Sequence, residues 1–173
     1  MKAIHESLIT PIKYECDVCV AGGGVAGIAA AVAAARRGAS VILLERGFML
    51  GGLATAGIVT IYLPLCDGMG NQVTFGLAEE LFRLSIEHGA EDRYPTAWLD
   101  GDSIEKRREQ RLEVQFNPQL FAIAAEQQLL REGVEILYGS SACNVITENN
   151  RITHIIVENK SGRCAIEVKS VVD

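Results

Sequence analysis

Aromatic residues and positive charge are both scarce in this sequence. Phe, Trp and Tyr make up only 6% of the 173 residues, so a core must be built mainly from Ala, Val, Ile and Leu. The 16 Lys and Arg are outnumbered by 22 Asp and Glu, which gives a formal net charge of −6. A chain of this sign has no general attraction for nucleic acid, so any phosphate it binds must be held by local backbone geometry.

Long apolar runs are also missing. No stretch approaches the roughly 18 consecutive apolar residues that a membrane-spanning helix needs. The longest candidate, residues 25–35, is short and Ala-rich, and residues 1–15 contain no apolar run of a secretory signal. These absences predict a cytoplasmic protein without a membrane partner.

Cysteine usage gives little sign of disulfides or metal sites. The chain has five cysteines, an odd number, and Cys16 and Cys19 form a C-x-x-C pair. The pair falls in a predicted strand, where residues three apart should point to opposite faces. We therefore interpret both as buried small residues rather than a redox or metal pair, and we expect no metal site.

Apolar runs and helix signals alternate along the chain. Residues 17–21 and 40–44 are predicted strands, joined by an Ala-rich predicted helix at 28–37. Such a crossover makes its two strands parallel. A second helix is predicted between the N-cap candidate Asn117 and Gly133, and residues 134–138 follow as a third parallel strand.

The remaining segments complete the predicted architecture. Residues 58–116 are interpreted as an insertion that contributes to a substrate domain. It contains a predicted amphipathic helix at 76–88, a strand at 112–116 and a solvated charge cluster at 105–109.

The tail predicts a three-stranded antiparallel meander. Its strands are 143–148, 151–158 and 164–169, and residues 170–173 look like the start of one more strand. The fold class expected from these segments is α/β, with a parallel sheet and an antiparallel three-stranded meander.

The main chemical signal is the glycine cluster Gly22 to Gly27, which matches G-x-G-x-x-G between a predicted strand and a predicted helix. Gly22 would allow the tight turn, Gly24 would let the backbone approach a pyrophosphate, and Gly27 would allow close packing of helix on strand. The helix N-terminus would then hold the diphosphate.

Glu45 supplies the second half of this signal. It lies 23 positions after Gly22, at the end of the next predicted strand, near the spacing of about 20 for a ribose-binding carboxylate. Such a carboxylate would repel a 2′-phosphate and so disfavours NADP. A second glycine-rich turn at residues 51–57 suits a ligand that continues past the diphosphate.

Residues 17–57 closely resemble the N-terminal segment of bacterial FAD-dependent oxidoreductases of the glutathione-reductase-like superfamily. Their sequence is DVCVAGGGVAGIAAAVAAARRGASVILLERGFMLGGLATAG. The resemblance continues in outline through the 116–137 segment and the meander. It implies a three-layer Rossmann-like FAD/NAD(P)-binding domain over 1–173, truncated at the C-terminus, with non-covalent FAD and the activity of a flavin-dependent oxidoreductase. The substrate, the electron acceptor and the catalytic residues stay open.

The resemblance also implies particular contacts. Gly22, Gly24, Val25 and Ala26 would meet the diphosphate, with Gly27 beside them. Glu45 would bind the adenosine ribose, Arg46 would lie along the adenine, and the backbone of Ala142 would meet the adenine edge. The residues expected to approach the diphosphate or flavin are Gly51, Gly52, Leu53, Ala54 and Thr55.

Two alternatives to an FAD site remain at this point. Family members resume after the meander with a second glycine motif on the flavin side, whereas this chain ends at Asp173. We therefore expect an incomplete FAD domain that is not catalytically competent alone and that tends to form a homo-oligomer. The alternatives are an NAD-dependent dehydrogenase domain, and a truncated non-catalytic remnant or interaction module.

Overall fold

The computed structural model describes residues 2–92 and 94–173. Its strands are β1 Ile12–Ala21, β2 Val41–Glu45, β3 Ile61–Tyr62, β4 Ala90–Asp92, β5 Val114–Phe116, β6 Glu135–Tyr138, β7 Ser141–Glu148, β8 Arg151–Asn159 and β9 Gly162–Val172. Its α-helices are α1 Val25–Ala35, α2 Leu77–Ser85, α3 Thr96–Leu99, α4 Ile104–Glu109 and α5 Pro118–Arg131, and a 3-10 turn covers Gly52–Ala54.

A six-stranded sheet organises the fold, in the order β6-β2-β1-β9-β8-β7. β1 pairs in parallel with β2 and with β9, and β2 pairs in parallel with β6. The predicted parallel strands are therefore confirmed. Their carboxyl ends meet at one edge of the sheet, where ligands of open α/β sheets bind.

The sheet separates two apolar cores, which confirms the predicted three layers. On one side α1, α2 and α5 cover buried residues such as Val20, Ile28 and Phe121. On the other side Ile42 and Leu44 of β2 pack against the antiparallel meander, in a core that includes Ile155, Val157 and Ile166. Because β2 is buried on both faces, it is a continuous apolar run rather than an alternating one.

The end of the chain differs from the prediction. Residues 170–172 do not start a new strand, because β9 runs unbroken from Gly162 to Val172. Its first part pairs with β8, and its second part pairs with β1 as far as the Val20–Val172 register. Lys169 and Ser170, at the boundary between the two predicted strands, are exposed positions within the continuous strand.

The expected orientation of Cys16 and Cys19 is wrong. Both are buried, and both belong to the core on the meander side of the sheet. The amides of Asp17 and Val18 both donate to the carbonyl oxygen of Ser40, each at 3.0 Å. Two consecutive residues facing one partner form a β-bulge, which shifts the alternation by one residue and brings the two thiols to the same face.

The bulge also changes the chemistry of the pair. A hydrogen bond between the two thiols, together with burial, raises the pKa of Cys19, so this thiol stays protonated at neutral pH. All five cysteines are free thiols.

Residues 58–116 form a three-stranded sheet, ordered β3-β5-β4, together with α2, α3 and α4. The predicted helix at 76–88 is present as α2, and the strand at 112–116 as β5. Leu81, Phe82 and Phe116 join the same buried core as α1. The charge cluster lies in α4, which has no buried residue.

The boundaries of α5 could be predicted because both of its ends carry capping residues. The Asn117 side chain accepts from the amides of Gln119 and Leu120, both at 3.0 Å, and Pro118 occupies the first helical position. Gly133 follows the helix at φ 79°, a conformation that favours glycine. Among the described residues no helix is both long and apolar enough to cross a membrane.

Burial predicts the order in which the thiols react. We expect the exposed Cys143 to react rapidly with an aromatic disulfide reagent, and Cys16, Cys19 and Cys164 to react at least about a thousandfold more slowly, because they need opening of the core. Timed thiol counts in buffer and in denaturant measure this. Cys143→Ser should remove the fast phase, and two further fast thiols in the native chain would contradict the buried pair.

Candidate functional site

The turn between β1 and α1 is shaped by main-chain contacts. Gly22 has φ 128°, and its amide donates to the carbonyl oxygen of Leu44 at 2.9 Å. A Cβ added to Gly27 would lie 1.9 Å from the carbonyl oxygen of Gly22. Glycine at 27 therefore lets the helix lie directly on the end of β1, which fixes the helix N-terminus at the sheet edge.

The N-terminus of α1 is open to an anion. Its first-turn amides, at Val25, Ala26 and Gly27, have no acceptor inside the helix, and the first turn carries no acidic residue. Gly24, the N-cap, forms no side-chain cap, and a Cβ placed on it would meet no protein atom within 4 Å. Open space thus lies in front of donors that carry about half a positive charge.

Glu45 lies against this turn. Its Oε2 accepts from the Gly23 amide at 3.0 Å, and its Oε1 accepts from the Gly47 amide at 2.5 Å. A Cβ on Gly23 would come within 2.8 Å of Oε2. The carboxylate is therefore positioned by two backbone amides, beside the open helix end.

The second glycine-rich turn backs directly onto the first. The amide of Gly51 donates to the carbonyl oxygen of Gly23 at 2.8 Å, and Gly24 and Gly51 form a parallel bridge. A Cβ on Gly52 would lie 3.2 Å from the Cα of Gly24. The two turns consequently form one backbone unit, which we call the cradle: residues 22–27 and 51–54, with Glu45.

Thr55 helps to fold the cradle rather than to line it. Its side chain is buried, and its hydroxyl donates to the carbonyl oxygen of Leu50 at 2.5 Å. By contrast, Leu53 is exposed and Ala54 is buried against the turn. Of the predicted residues 51–55, Leu53 is thus exposed and Gly52 is half-buried, whereas Gly51, Ala54 and Thr55 are buried.

A pocket of about 450 Å³ opens beside the cradle. Its lining contains no charged side chain; it consists of Gly24, Val25, Ala26, Gly51, Leu53, Ala54, Val59, Ile61, Tyr62 and Phe116. The last four come from outside the glycine turns and were missed from the sequence. The apolar stretch at 58–62 was the only signal that could have found three of them.

Tyr62 closes the pocket with a neutral side chain. Its ring packs against Phe82 and Phe116, with centroid distances of 5.4 and 5.2 Å. Burial raises the pKa of Tyr62, and the nearby Ser85 hydroxyl acts in the opposite direction. The hydroxyl therefore stays protonated at neutral pH, and this end of the pocket offers no anionic group.

Arg46 and Ala142 lie outside the pocket. Both are exposed, and the side chain of Arg46 forms no ion pair within residues 2–92 and 94–173. The Ser140 amide donates to the carbonyl oxygen of Glu45 at 3.0 Å, which joins the end of β6 to the end of β2. Ala142, two residues further on, is thereby held at the Glu45 side of the cradle.

Cys66 and the three histidines do not line the pocket. Cys66 accepts a hydrogen bond from the Leu112 amide at 3.4 Å and does not line the pocket. His154 contacts the Thr153 hydroxyl in the meander, and His5 and His88 are exposed. In the described part of the chain, no group of three or more His, Cys, Asp or Glu could hold a metal ion.

The fold and the cradle together define a class of protein. A parallel sheet, a side-chain-free turn at a helix N-terminus and a carboxylate on the next strand are the features of a dinucleotide-binding domain. Residues 17–173 match the family of FAD dependent oxidoreductases, and the chain belongs to that family.

Individual relatives place limits on this assignment. The chain is 31% identical over 156 residues to the "Probable electron transfer flavoprotein-quinone oxidoreductase YgcN" of Escherichia coli, an alignment that covers 84% of this chain and 33% of that protein. It is 34% identical over 70 residues to the thioredoxin reductase of Ureaplasma parvum, covering 40% of this chain and 23% of that enzyme. The chain thus spans at most about a third of these relatives.

Solved structures share the fold at low identity. The THI4 protein of Thermovibrio ammonificans superposes with a TM-score of 0.60 at 19% identity, over 92% of this chain and 57% of that one. The 3-ketosteroid-delta4-(5alpha)-dehydrogenase of Rhodococcus jostii gives a TM-score of 0.62 at 18% identity, over 95% and 48%. These likenesses establish the three-layer architecture.

Two glycine substitutions separate binding from folding. Gly24 has ordinary torsions (φ −70°, ψ 176°) and open space around it, so Gly24→Ala should leave the thermal midpoint unchanged or slightly raised. It should weaken ADP binding at least about tenfold, because the methyl group occupies the space in front of the amides. Calorimetric titration with ADP measures the effect.

Gly27→Ala serves as the opposite case. The added methyl group clashes with a backbone oxygen, so we expect a loss of about 3 kcal/mol in unfolding free energy. Denaturant unfolding of both variants gives the comparison. Wild-type ADP affinity in Gly24→Ala would show that the diphosphate does not lie there.

Proposed function

We propose that this chain is the FAD-binding portion of a flavin-dependent oxidoreductase and holds the ADP half of FAD non-covalently. The observation that carries the proposal is the open N-terminus of α1 beside a carboxylate already held in place by two amides. Membership of the FAD-dependent family supports the choice of dinucleotide.

The cradle would make separate contacts with the diphosphate and with the ribose of the ligand. The diphosphate would contact the amides of Gly24, Val25 and Ala26, where the helix dipole favours negative charge. Glu45 has lone pairs left after its two amide bonds, and these would accept from the ribose hydroxyls. The same carboxylate would repel a 2′-phosphate at this position.

Adenine would lie on the outer side of Glu45. Arg46 is exposed next to it, and the guanidinium plane can stack on a heteroaromatic ring. The backbone of Ala142 would meet the adenine edge, since β6 and β2 are joined at Ser140 and Glu45. These two assignments come from the family resemblance and from their position on the Glu45 side.

The uncharged pocket beyond the cradle would receive the flavin end of the cofactor. Its walls suit the apolar part of an isoalloxazine ring, and residues 58–116 supply Val59, Ile61, Tyr62 and Phe116. We infer that residues 58–116 contribute to the substrate side of the whole enzyme. Bound flavin would supply hydride or electron transfer; this chain supplies position and exclusion of water.

An NAD-dependent dehydrogenase would use a similar turn, and a non-catalytic remnant would keep the fold without a cofactor. The absorption spectrum of the purified chain separates these functions. A visible flavin spectrum supports the proposal, and tight NAD binding without flavin supports the first rival. Failure to bind ADP, FAD or NAD supports the non-catalytic remnant.

A ligand comparison isolates the ribose contact of Glu45. We expect Glu45→Ala to weaken ADP binding by about 1–3 kcal/mol, as for a lost hydrogen bond to a charged group. Because Glu45 also accepts from Gly23 and Gly47, part of this loss reflects a looser turn. Binding of 2′,3′-dideoxy-ADP should therefore fall by clearly less than binding of ADP.

Titration calorimetry of ADP and 2′,3′-dideoxy-ADP against the wild type and Glu45→Ala gives the four affinities that this comparison needs. Glu135→Ala, which removes an exposed carboxylate from β6, is the matched control and should bind both nucleotides like the wild type. If Glu45→Ala lost the same binding free energy for both nucleotides, Glu45 would support the turn without contacting the ribose hydroxyls.

The flavin half should add little affinity for this chain alone. The polar contacts that this chain would make with FAD are all at the ADP end, and the pocket beyond is open on one side. We therefore expect FAD to bind no more than about tenfold tighter than ADP. Fluorescence titration with FAD, with ADP as competitor, measures the ratio. Nanomolar, stoichiometric FAD binding would show that this chain already holds the complete cofactor.

A further inference from the structure

The hydroxyl of Thr55 begins a series of hydrogen bonds that runs through the cradle. The Thr55 side chain is buried, and its hydroxyl donates to the carbonyl oxygen of Leu50 at 2.5 Å. That oxygen shares a peptide group with the amide of Gly51, which donates to the carbonyl oxygen of Gly23 at 2.8 Å. The Gly23 oxygen in turn shares a peptide group with the amide of Gly24.

Planar peptide groups pass the direction of one bond on to the next. In a trans peptide group the carbonyl and the following amide point in opposite directions within one plane. A bond that fixes the Leu50 carbonyl therefore also fixes the direction of the Gly51 amide, and the Gly51 bond does the same for the Gly24 amide. Successive bonds of this kind also polarise one another, so each donor along the series becomes stronger.

The series ends in a free donor that faces open space. The Gly24 amide has no acceptor within residues 2–92 and 94–173, and a Cβ on Gly24 would meet no protein atom within 4 Å. This amide is one of the three that would contact the diphosphate. The hydrogen bonds therefore join a buried hydroxyl to a donor of the proposed anion site.

The methyl group of Thr55 holds the same turn by contact. Gly51 has φ 100°, and a Cβ on it would lie 2.4 Å from the methyl carbon of Thr55. The hydroxyl has a second, longer contact with the carbonyl oxygen of Gly52 at 3.4 Å. The two contributions can be separated by mutation, because valine keeps the shape of threonine and serine keeps its hydroxyl.

We propose that Thr55 is a positioning residue of the anion site: its hydroxyl, acting through the 50–51 and 23–24 peptide groups, aims the Gly24 amide at the diphosphate. Thr55 does not itself reach the ligand, because its side chain is buried. The inference rests on the proposed function for the identity of the ligand. The order of the two peptide groups can be measured without any ligand.

Amide hydrogen exchange in the ligand-free chain tests the order of the peptide groups. Relative to the amides of β1, the Gly51 amide should exchange at least about tenfold faster in Thr55→Val than in the wild type, because its peptide group loses one of two hydrogen bonds. Thr55→Ser keeps the hydroxyl and should stay within about threefold of the wild type. Ser85→Ala is the matched control, since it removes another buried hydroxyl that donates to a backbone carbonyl, at 2.7 Å in α2, and it should leave the relative Gly51 rate unchanged.

Nucleotide binding tests the effect on the ligand, at a temperature where every variant is folded. Thr55→Val should weaken ADP binding at least about fivefold, because a misdirected Gly24 amide weakens a bond to the diphosphate. Adenosine has no diphosphate, so its affinity should change by less than about twofold. If Thr55 only supported the fold, its loss would also loosen Glu45, which is bonded to Gly23, and would weaken both ligands equally. Titration calorimetry with ADP and an amide-signal titration with adenosine give the affinities.

Three results would overturn the role of Thr55. They are a Gly51 exchange rate in Thr55→Val equal to that of the wild type, a Thr55→Ser variant as impaired as Thr55→Val, and equal losses of ADP and adenosine affinity. A wild-type chain that binds neither ADP nor FAD would instead contradict the proposed function. The exchange rates would then still decide whether Thr55 orders the two peptide groups, and an unchanged rate would reject it.

Discussion

The site depends on one contact, the approach of α1 to the end of β1 at Gly27 and Gly22. Only a residue without Cβ allows the helix so close, since the added atom would lie 1.9 Å from a carbonyl oxygen. This contact fixes the helix N-terminus at the sheet edge. Gly51 and Glu45 then bond to the main chain of Gly23, so the second turn and the carboxylate take their positions from the first.

This geometry explains how an acidic protein can offer an anion site. The net charge of −6 is spread over the whole surface, and charges beyond about 8 Å are largely screened at physiological salt. The amides of α1 would act at hydrogen-bond distance, with about half a positive charge between them. Local donors therefore outweigh distant carboxylates. Glu45, the nearest carboxylate, is partly compensated by two amides and lies to one side of the helix end.

The parts of the structure that could be predicted are those that glycine and hydrophobic patterning specify locally. Gly22, Gly24, Gly27 and the β1–α1–β2 crossover are of this kind, as are the caps at Asn117 and Gly133. The bulge at Asp17 and Val18 has no local signal such as a glycine. It arises from pairing with Ser40, which is 23 residues from Asp17 and 22 residues from Val18. β9 is continuous because β1 accepts it as a partner, which its own sequence does not reveal. The pocket wall joins residues 59–62 to Phe116, and no local pattern connects them.

The two ends of the site are built on opposite principles. The cradle uses backbone donors and one carboxylate, and such polar groups tolerate water nearby. The other end uses apolar side chains that remain uncovered, and Ile58, at φ 58°, shows the cost of this arrangement. A left-handed β-branched residue loses about 1–3 kcal/mol of stability, while full burial of an isoleucine side chain contributes about 1.5–3 kcal/mol. At 76% exposure little of that burial is realised within the chain, so the conformation is offset only when another surface covers this loop. Ile58 is adjacent in the chain to Val59, which lines the pocket, so a surface that buried this loop would also border the pocket.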